Sequence, residues 1–234
     1  MRKTLITAVL FIAVNTVFSA DTISLVHYPW IKIHYEGDAE IFNSTCDRLP
    51  ADDPFYRSRG DSAKFIKIME YVPGNGCDDR YSILFSMGES ADPRYYFYRN
   101  NEVAEEAFSI HTVDLYLKDG GVIIAQGAVN EMFTLSRKFL LKNGKIKEIK
   151  QPFYAVNLQS KATEDFPIYR TKRRRRVITT VRKGEEISVL LTEFDENYRY
   201  YLIRSFNGLC GWIKVEKGVW VNNTPIKDLY YHGD

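Results

Sequence analysis

The chain has 234 residues, enough for one large domain or two small ones with a buried core. A hydrophobic fraction of 45% and an aromatic fraction of 14% exclude the disordered class, which lacks the apolar surface needed to offset ordering. With 32 basic and 30 acidic side chains the net charge is only +2, so the overall balance implies no particular partner.

Residues 1–20 read as a secretory signal peptide. Arg2 and Lys3 form the positive start, Leu5 to Val14 the apolar run, and Val17-Phe18-Ser19 or Phe18-Ser19-Ala20 the cleavage site. The apolar run is short for a membrane span, and no cysteine stands at the cleavage point to carry a lipid. The expected location is periplasmic or secreted, with no integral membrane span after cleavage. An oxidising compartment permits a disulfide between Cys46 and Cys77, whose loop of about thirty residues would contribute on the order of 3–4 kcal/mol. Cys210, the third cysteine, is expected to be a small buried residue.

From Trp30 the chain alternates, with Ile31, Ile33 and Tyr35 on one face and Lys32 and His34 on the other, as a half-buried strand does. Pro50–Asp61 is polar and turn-rich and reads as a loop. Lys64–Val72 and Arg80–Met87 flank Pro73-Gly74-Asn75-Gly76, which predicts a hairpin with Cys77 at its base. Arg94–Arg99 is a further strand, and Glu102–Ala107 a short helix. Ser109–Lys118 reads as one strand, turned by Asp119-Gly120-Gly121 into Val122–Val129. Met132–Leu141 and Lys145–Ile149 flank Lys142-Asn143-Gly144 as another hairpin, and Phe153–Leu158 adds a strand. Short runs separated by tight turns predict a mainly β protein whose residues 21–161 form an antiparallel β domain.

Lys161–Asp165 is short and polar and sets the boundary to a second unit over residues 166–217. Its strands are Phe166–Tyr169, Val177–Val181, Glu186–Leu191, Tyr200–Arg204 and Gly211–Val215, and the run Lys172-Arg173-Arg174-Arg175-Arg176 follows the first. Residues 20–165 hold 17 basic and 22 acidic groups, net −5, whereas residues 166–217 hold 12 and 6, net +6. Residues 218–234, with Trp220, Leu229, Tyr230 and Tyr231, are too aromatic for a free tail and are expected to pack back on a domain.

The second unit resembles the bacterial SH3-like domain, a small β-barrel used as a targeting or ligand-binding module. The resemblance rests on Val177–Val181 followed by Arg182-Lys183-Gly184-Glu185-Glu186-Ile187, then Tyr200-Tyr201-Leu202-Ile203-Arg204, Gly208, and Gly211-Trp212-Ile213. Gly184 and Gly208 suit turns with positive φ, Gly211 a close backbone approach, and Trp212 the interior of a small barrel. The chain departs from the family pattern in Phe166-Pro167-Ile168-Tyr169-Arg170, in Tyr200 for the usual Trp, and in the Arg run. The resemblance implies a groove beside the first long loop, here Arg170 to Arg176 with Arg173, Arg174, Arg175 and Arg176, together with Tyr198, Tyr200 and Arg204. Its ligand would be cell-wall peptide or another anionic envelope polymer. The competing reading of the Arg run is a solvated loop.

Catalytic motifs are missing: no His-Glu-x-x-His, no Gly-x-Ser-x-Gly, no phosphate loop, and no thiol with a neighbouring base. His34 and His111 read as polar-face strand residues rather than ligands, and no cofactor or metal is implied. The acids Glu36, Asp38, Glu40, Asp47, Asp52, Asp53, Asp78 and Asp79 leave paired-carboxylate chemistry open. Three functions follow: a non-enzymatic envelope-binding protein, an envelope glycoside or wall hydrolase, or a secreted inhibitor or assembly factor with a protein partner. Nucleic acid is not an expected partner of an exported chain.

Overall fold

The computed structural model describes residues 20–25, 28–36, 39–41, 65–74, 79–87, 93–99, 108–127, 133–142, 145–194, 198–216 and 224–230. The protein is mainly β, as composition and turn spacing predict, and no α-helix is present among the described residues. Residues 1–19, Cys46, Cys77, the helix expected over Glu102–Ala107, and Trp220 lie outside those described.

Strands β1 (Asp21–Leu25) and β2 (Tyr28–Tyr35) pair antiparallel and begin the first sheet. The chain then leaves it to build a second sheet in simple sequence order from β3 (Ala39–Ile41), β4 (Ile66–Tyr71), β5 (Tyr81–Ser86), β6 (Arg94–Arg99) and β7 (Phe108–His111). It returns with β8 (Asp114–Lys118), β9 (Val122–Gly127), β10 (Leu135–Lys142) and β11 (Lys145–Ile149), giving the order β1-β2-β8-β9-β10-β11. Strand β8 lies parallel to β2, with Lys32 opposite Asp114 and Tyr35 opposite Leu117, the one departure from antiparallel pairing among these strands. A parallel neighbour requires a long crossover, and here the whole second sheet is that crossover.

The stretch Ser109–Lys118, continuous in its alternation, is split between two sheets. Its break falls at Thr112, whose buried hydroxyl donates to the Gln126 carbonyl at 2.7 Å while its amide reaches the Pro93 carbonyl at 3.2 Å. Inward residues of both sheets, among them Ile33, Leu115, Ile123, Phe139, Ile83, Phe97 and Ile110, close on one core. Buried Tyr71 and Tyr95 of the second sheet donate to the backbone carbonyls of Lys118 on the first sheet and of Val113 in the bend before β8, so each ring is buried without stranding its hydroxyl.

The third sheet comprises β12 (Tyr154–Lys161), β13 (Phe166–Tyr169), β14 (Val177–Val181), β15 (Glu186–Phe194), β16 (Tyr198–Ser205) and β17 (Cys210–Glu216), in the order β12-β15-β16-β17-β13-β14. Strand β12, which the polar segment at Lys161–Asp165 assigns to the preceding unit, is hydrogen-bonded along β15 from Tyr154 to Lys161. The hydrophobic cores therefore divide before Tyr154, although Phe133 and Leu135, at the entry to β10, pack into the later core. That core holds Ile168, Val181, Val189, Tyr201 and Ile203 at full burial. Of the C-terminal segment, the described residues 224–230 pack on the third sheet: Ile226 bridges Ala162, and Ile226, Leu229 and Tyr230 join its core.

Candidate functional site

The Arg run forms the connection between β13 and β14 and is closed by its own backbone. The Arg170 amide donates to the Arg176 carbonyl at 2.8 Å, and the Arg174 amide to the Thr171 carbonyl at 3.0 Å. Arg174 itself has φ 57, a left-handed conformation unusual for a residue with a side chain. Arg173, Arg174, Arg175 and Arg176 are all exposed, and none takes a carboxylate partner among the described residues. Arg174 lies over the Tyr169 ring, with its guanidinium carbon 5.1 Å from the centroid.

Lys172, in the same loop, is held differently. Its ammonium pairs with Glu193 of β15 and sits 5.9 Å from the Tyr200 ring and 5.8 Å from the Trp212 ring. Trp212 in turn meets Phe153 at 6.3 Å between centroids. This corrects the placement of Trp212. In β17 the residues Gly211, Ile213 and Val215 turn inward, so period-two alternation sends Trp212 to the opposite face. Tyr201, hydrogen-bonded to Tyr230, fills the interior instead. Gly211 does allow a close approach, since a Cβ there would stand 2.9 Å from the Cβ of Ile168 on β13. Gly184 and Gly208 both adopt the positive φ expected of them.

Tyr169, Lys172, Glu193, Tyr200, Trp212 and Phe153 thus form an aromatic shelf beside the basic loop. The sequence reading includes Lys172 within the loop range and Tyr200, and misses Tyr169, Phe153 and Glu193. The signal that could have found Tyr200 and Trp212 together is their even parity on paired strands, where Leu202 faces Trp212 and Tyr200 faces Lys214.

Arg204 is not part of this group. Four residues along β16 from Tyr200, about 13 Å away, it donates to the Ser188 hydroxyl at 3.1 Å. There it lines a shallow groove with Gln159, Glu186 and Phe206. The Tyr198 backbone pairs with Glu216, while its side chain lies outside the described residues. Cys210 is exposed rather than buried, because it faces Arg204 beside the turn of the β16–β17 hairpin, on the same side as Trp212.

Among the described residues the candidate carboxylates are held in ion pairs. Glu36 pairs with Lys118, Glu40 with Arg80 and Asp79 with Arg99, while Asp38, Asp47, Asp52, Asp53 and Asp78 lie outside the described residues. His34 stacks on Tyr116 at 4.3 Å and 10°, with Nδ1 2.9 Å from the Thr22 hydroxyl. Burial lowers its pKa, opposed by Asp114 and reinforced by Lys32. His111 contributes its backbone carbonyl to Arg137. Among the described residues no group of three His, Cys, Asp or Glu side chains could hold a metal ion, and no helix is long and apolar enough to cross a membrane. No protein family, curated protein or solved structure matches the chain.

Proposed function

We propose that the protein is an exported, non-enzymatic binding protein of the bacterial cell envelope, and that its third sheet is an SH3-like module recognising wall peptide or another anionic polymer through the β13–β14 loop. The observation that carries this reading is the contrast within the loop. Lys172 is neutralised by Glu193, whereas the guanidiniums of Arg173 to Arg176 project from a hydrogen-bonded turn without a carboxylate partner among the described residues. A solvated loop has no need of the aromatic shelf at its side; an anionic ligand with apolar or planar parts uses both. Guanidinium groups give paired hydrogen bonds to carboxylate or phosphate, and the faces of Tyr169, Trp212 and Phe153 supply stacking area.

The test is retention on purified peptidoglycan and on a soluble anionic glycopolymer. Reversing Arg173, Arg174, Arg175 and Arg176 to Glu should abolish retention, and Trp212→Ala should weaken it with the loop charge intact. Equal retention of the reversed variant would remove the loop from the function. A zymogram on cell walls separates this reading from a hydrolase.

A further inference from the structure

We propose that the outer face of the first sheet, at the β10–β11 hairpin, is a docking surface for an anionic lipid membrane. Strand register puts the relevant side chains on one side. Phe139 and Leu141 of β10 turn into the core with Ile123 of β9, so Lys138, Leu140 and Lys142 turn outward. On β11 the residues opposite them are Ile149, Lys147 and Lys145. Lys138, Lys142, Lys145 and Lys147 thus share one face with Leu140 and Ile149, and β9 extends that face with Val122 opposite Leu140 and Ile124 opposite Lys138.

All four lysines are exposed, and none takes an ion-pair or hydrogen-bond partner among the described residues. Lys142 stands directly opposite Lys145, a like-charge cross-strand pair that the isolated fold disfavours. From Leu135 to Lys150 the sequence holds six cations and a single carboxylate. That carboxylate, Glu148, faces Phe139 on the other side of the hairpin and cannot screen the outer lysines. An anionic partner removes the repulsion that the fold leaves in place.

The aliphatic residues decide which anionic partner fits. Leu140, Val122 and Ile124 are half-buried and Ile149 is 39% exposed, a patchwork of apolar groups set between ammonium groups. Lysine stems lie along apolar surface while their heads reach outward, and this combination matches the boundary between headgroups and acyl chains. A sugar or phosphate polymer would leave the aliphatic groups without a counterpart. A polybasic face gains attraction from each lysine close to anionic lipid and loses it with salt.

The experiment is co-sedimentation of the full chain with vesicles of phosphatidylcholine alone and of phosphatidylcholine mixed with phosphatidylglycerol. Retention should be stronger on the anionic vesicles and should fall with added salt. The triple variant Lys142→Glu, Lys145→Glu, Lys147→Glu should bind the anionic vesicles at least about tenfold more weakly. Leu140→Ser with Ile149→Ser should weaken binding with every charge kept. Reversal of the arginines in the β13–β14 loop should leave vesicle retention in place, which separates this surface from the function proposed above. Circular dichroism confirms folding, and the corresponding Lys→Gln set serves if the reversed variant does not fold. Equal retention of the triple variant overturns the proposal, as does loss of retention on reversing the loop arginines alone. Capture of soluble polyphosphate by the same lysines without retention on anionic vesicles also overturns it, in favour of a polymer.

Discussion

Tyr201 and Tyr230 meet hydroxyl to hydroxyl at 3.0 Å inside the core of the third sheet, although the second belongs to the C-terminal segment. Burial raises the Tyr201 pKa well above its ordinary value, with Tyr230 adding to the effect, so Tyr201 keeps its proton at any ordinary pH. Tyr230→Phe removes one hydroxyl and should cost about 1–2 kcal/mol in urea unfolding. Ending the chain before Thr224 also removes buried Ile226 and Leu229. At about 1.5–3 kcal/mol for each large apolar side chain, the third sheet should then lose cooperative unfolding. A truncated chain with wild-type stability would show that the segment only decorates the surface.

Thr192 stands opposite Tyr201 on β15, fully buried, and its hydroxyl finds no hydrogen-bond partner among the described residues. Valine keeps the shape and removes the stranded oxygen. Thr192→Val should therefore raise stability by about 1–2 kcal/mol, visible as a higher melting temperature. A fall in melting temperature would mean that the hydroxyl is satisfied in solution.

Two glycines with the same backbone sign separate conformational strain from collision. Gly184 has φ 83 with open space around it, and Gly184→Ala should cost about 1–2 kcal/mol from the left-handed backbone alone. Gly121 has φ 74, and a Cβ there would lie 2.3 Å from the Leu141 carbonyl oxygen. Gly121→Ala must also displace the β10 backbone and should lower the melting temperature clearly more. Equal losses for the two variants would contradict the close packing of this turn on β10.

Acid should weaken the first two sheets through His34 and Glu70. For Glu70, burial alone would raise the carboxyl, but Lys67 at 2.7 Å and Arg80 at 2.9 Å hold it below its ordinary value. Its contribution is complete above the ordinary carboxylate range and is lost as pH falls through the lowered value. His34, lowered from 6.5 chiefly by burial, acts in the same direction: the unfolded chain takes up the proton first, so stability falls as pH drops below that value. Glu70→Gln should flatten the acid limb of a stability–pH curve. An NMR titration of the His34 ring should give a midpoint below 6.5; a midpoint at or above it would contradict the packing on Tyr116.

The hairpins were legible because glycine and proline turns interrupt alternating runs, as between β4 and β5 or β8 and β9. The split between β7 and β8 was not, since Ser109–Lys118 keeps its alternation across the switch and only Thr112, bonded to both sides, marks it. Trp212 and Cys210 share a parity that points both outward, yet hydropathy and small size each argue for burial, and strand alternation prevails. The lysine face was hidden by averaging. A net charge of −5 over residues 20–165 conceals a basic hairpin, while the contiguous arginines of the loop announce themselves. Tyr169 and Phe153 carry no signal of their own, because their role depends on strands brought together from distant sequence.

The parallel pairing of β2 with β8 is the longest-range closure in the first sheet. Lys32 meets Asp114 across a span that contains the whole second sheet, so the contact costs less chain entropy once those five strands have gathered than before, and until then β1 and β2 form an incomplete pair. Contacts of such separation slow the search for the native state, and the waiting edge of β2 is open to pairing with another chain. Substitutions that weaken the second sheet should therefore slow completion of the first, and refolding yield should fall with protein concentration before equilibrium stability does.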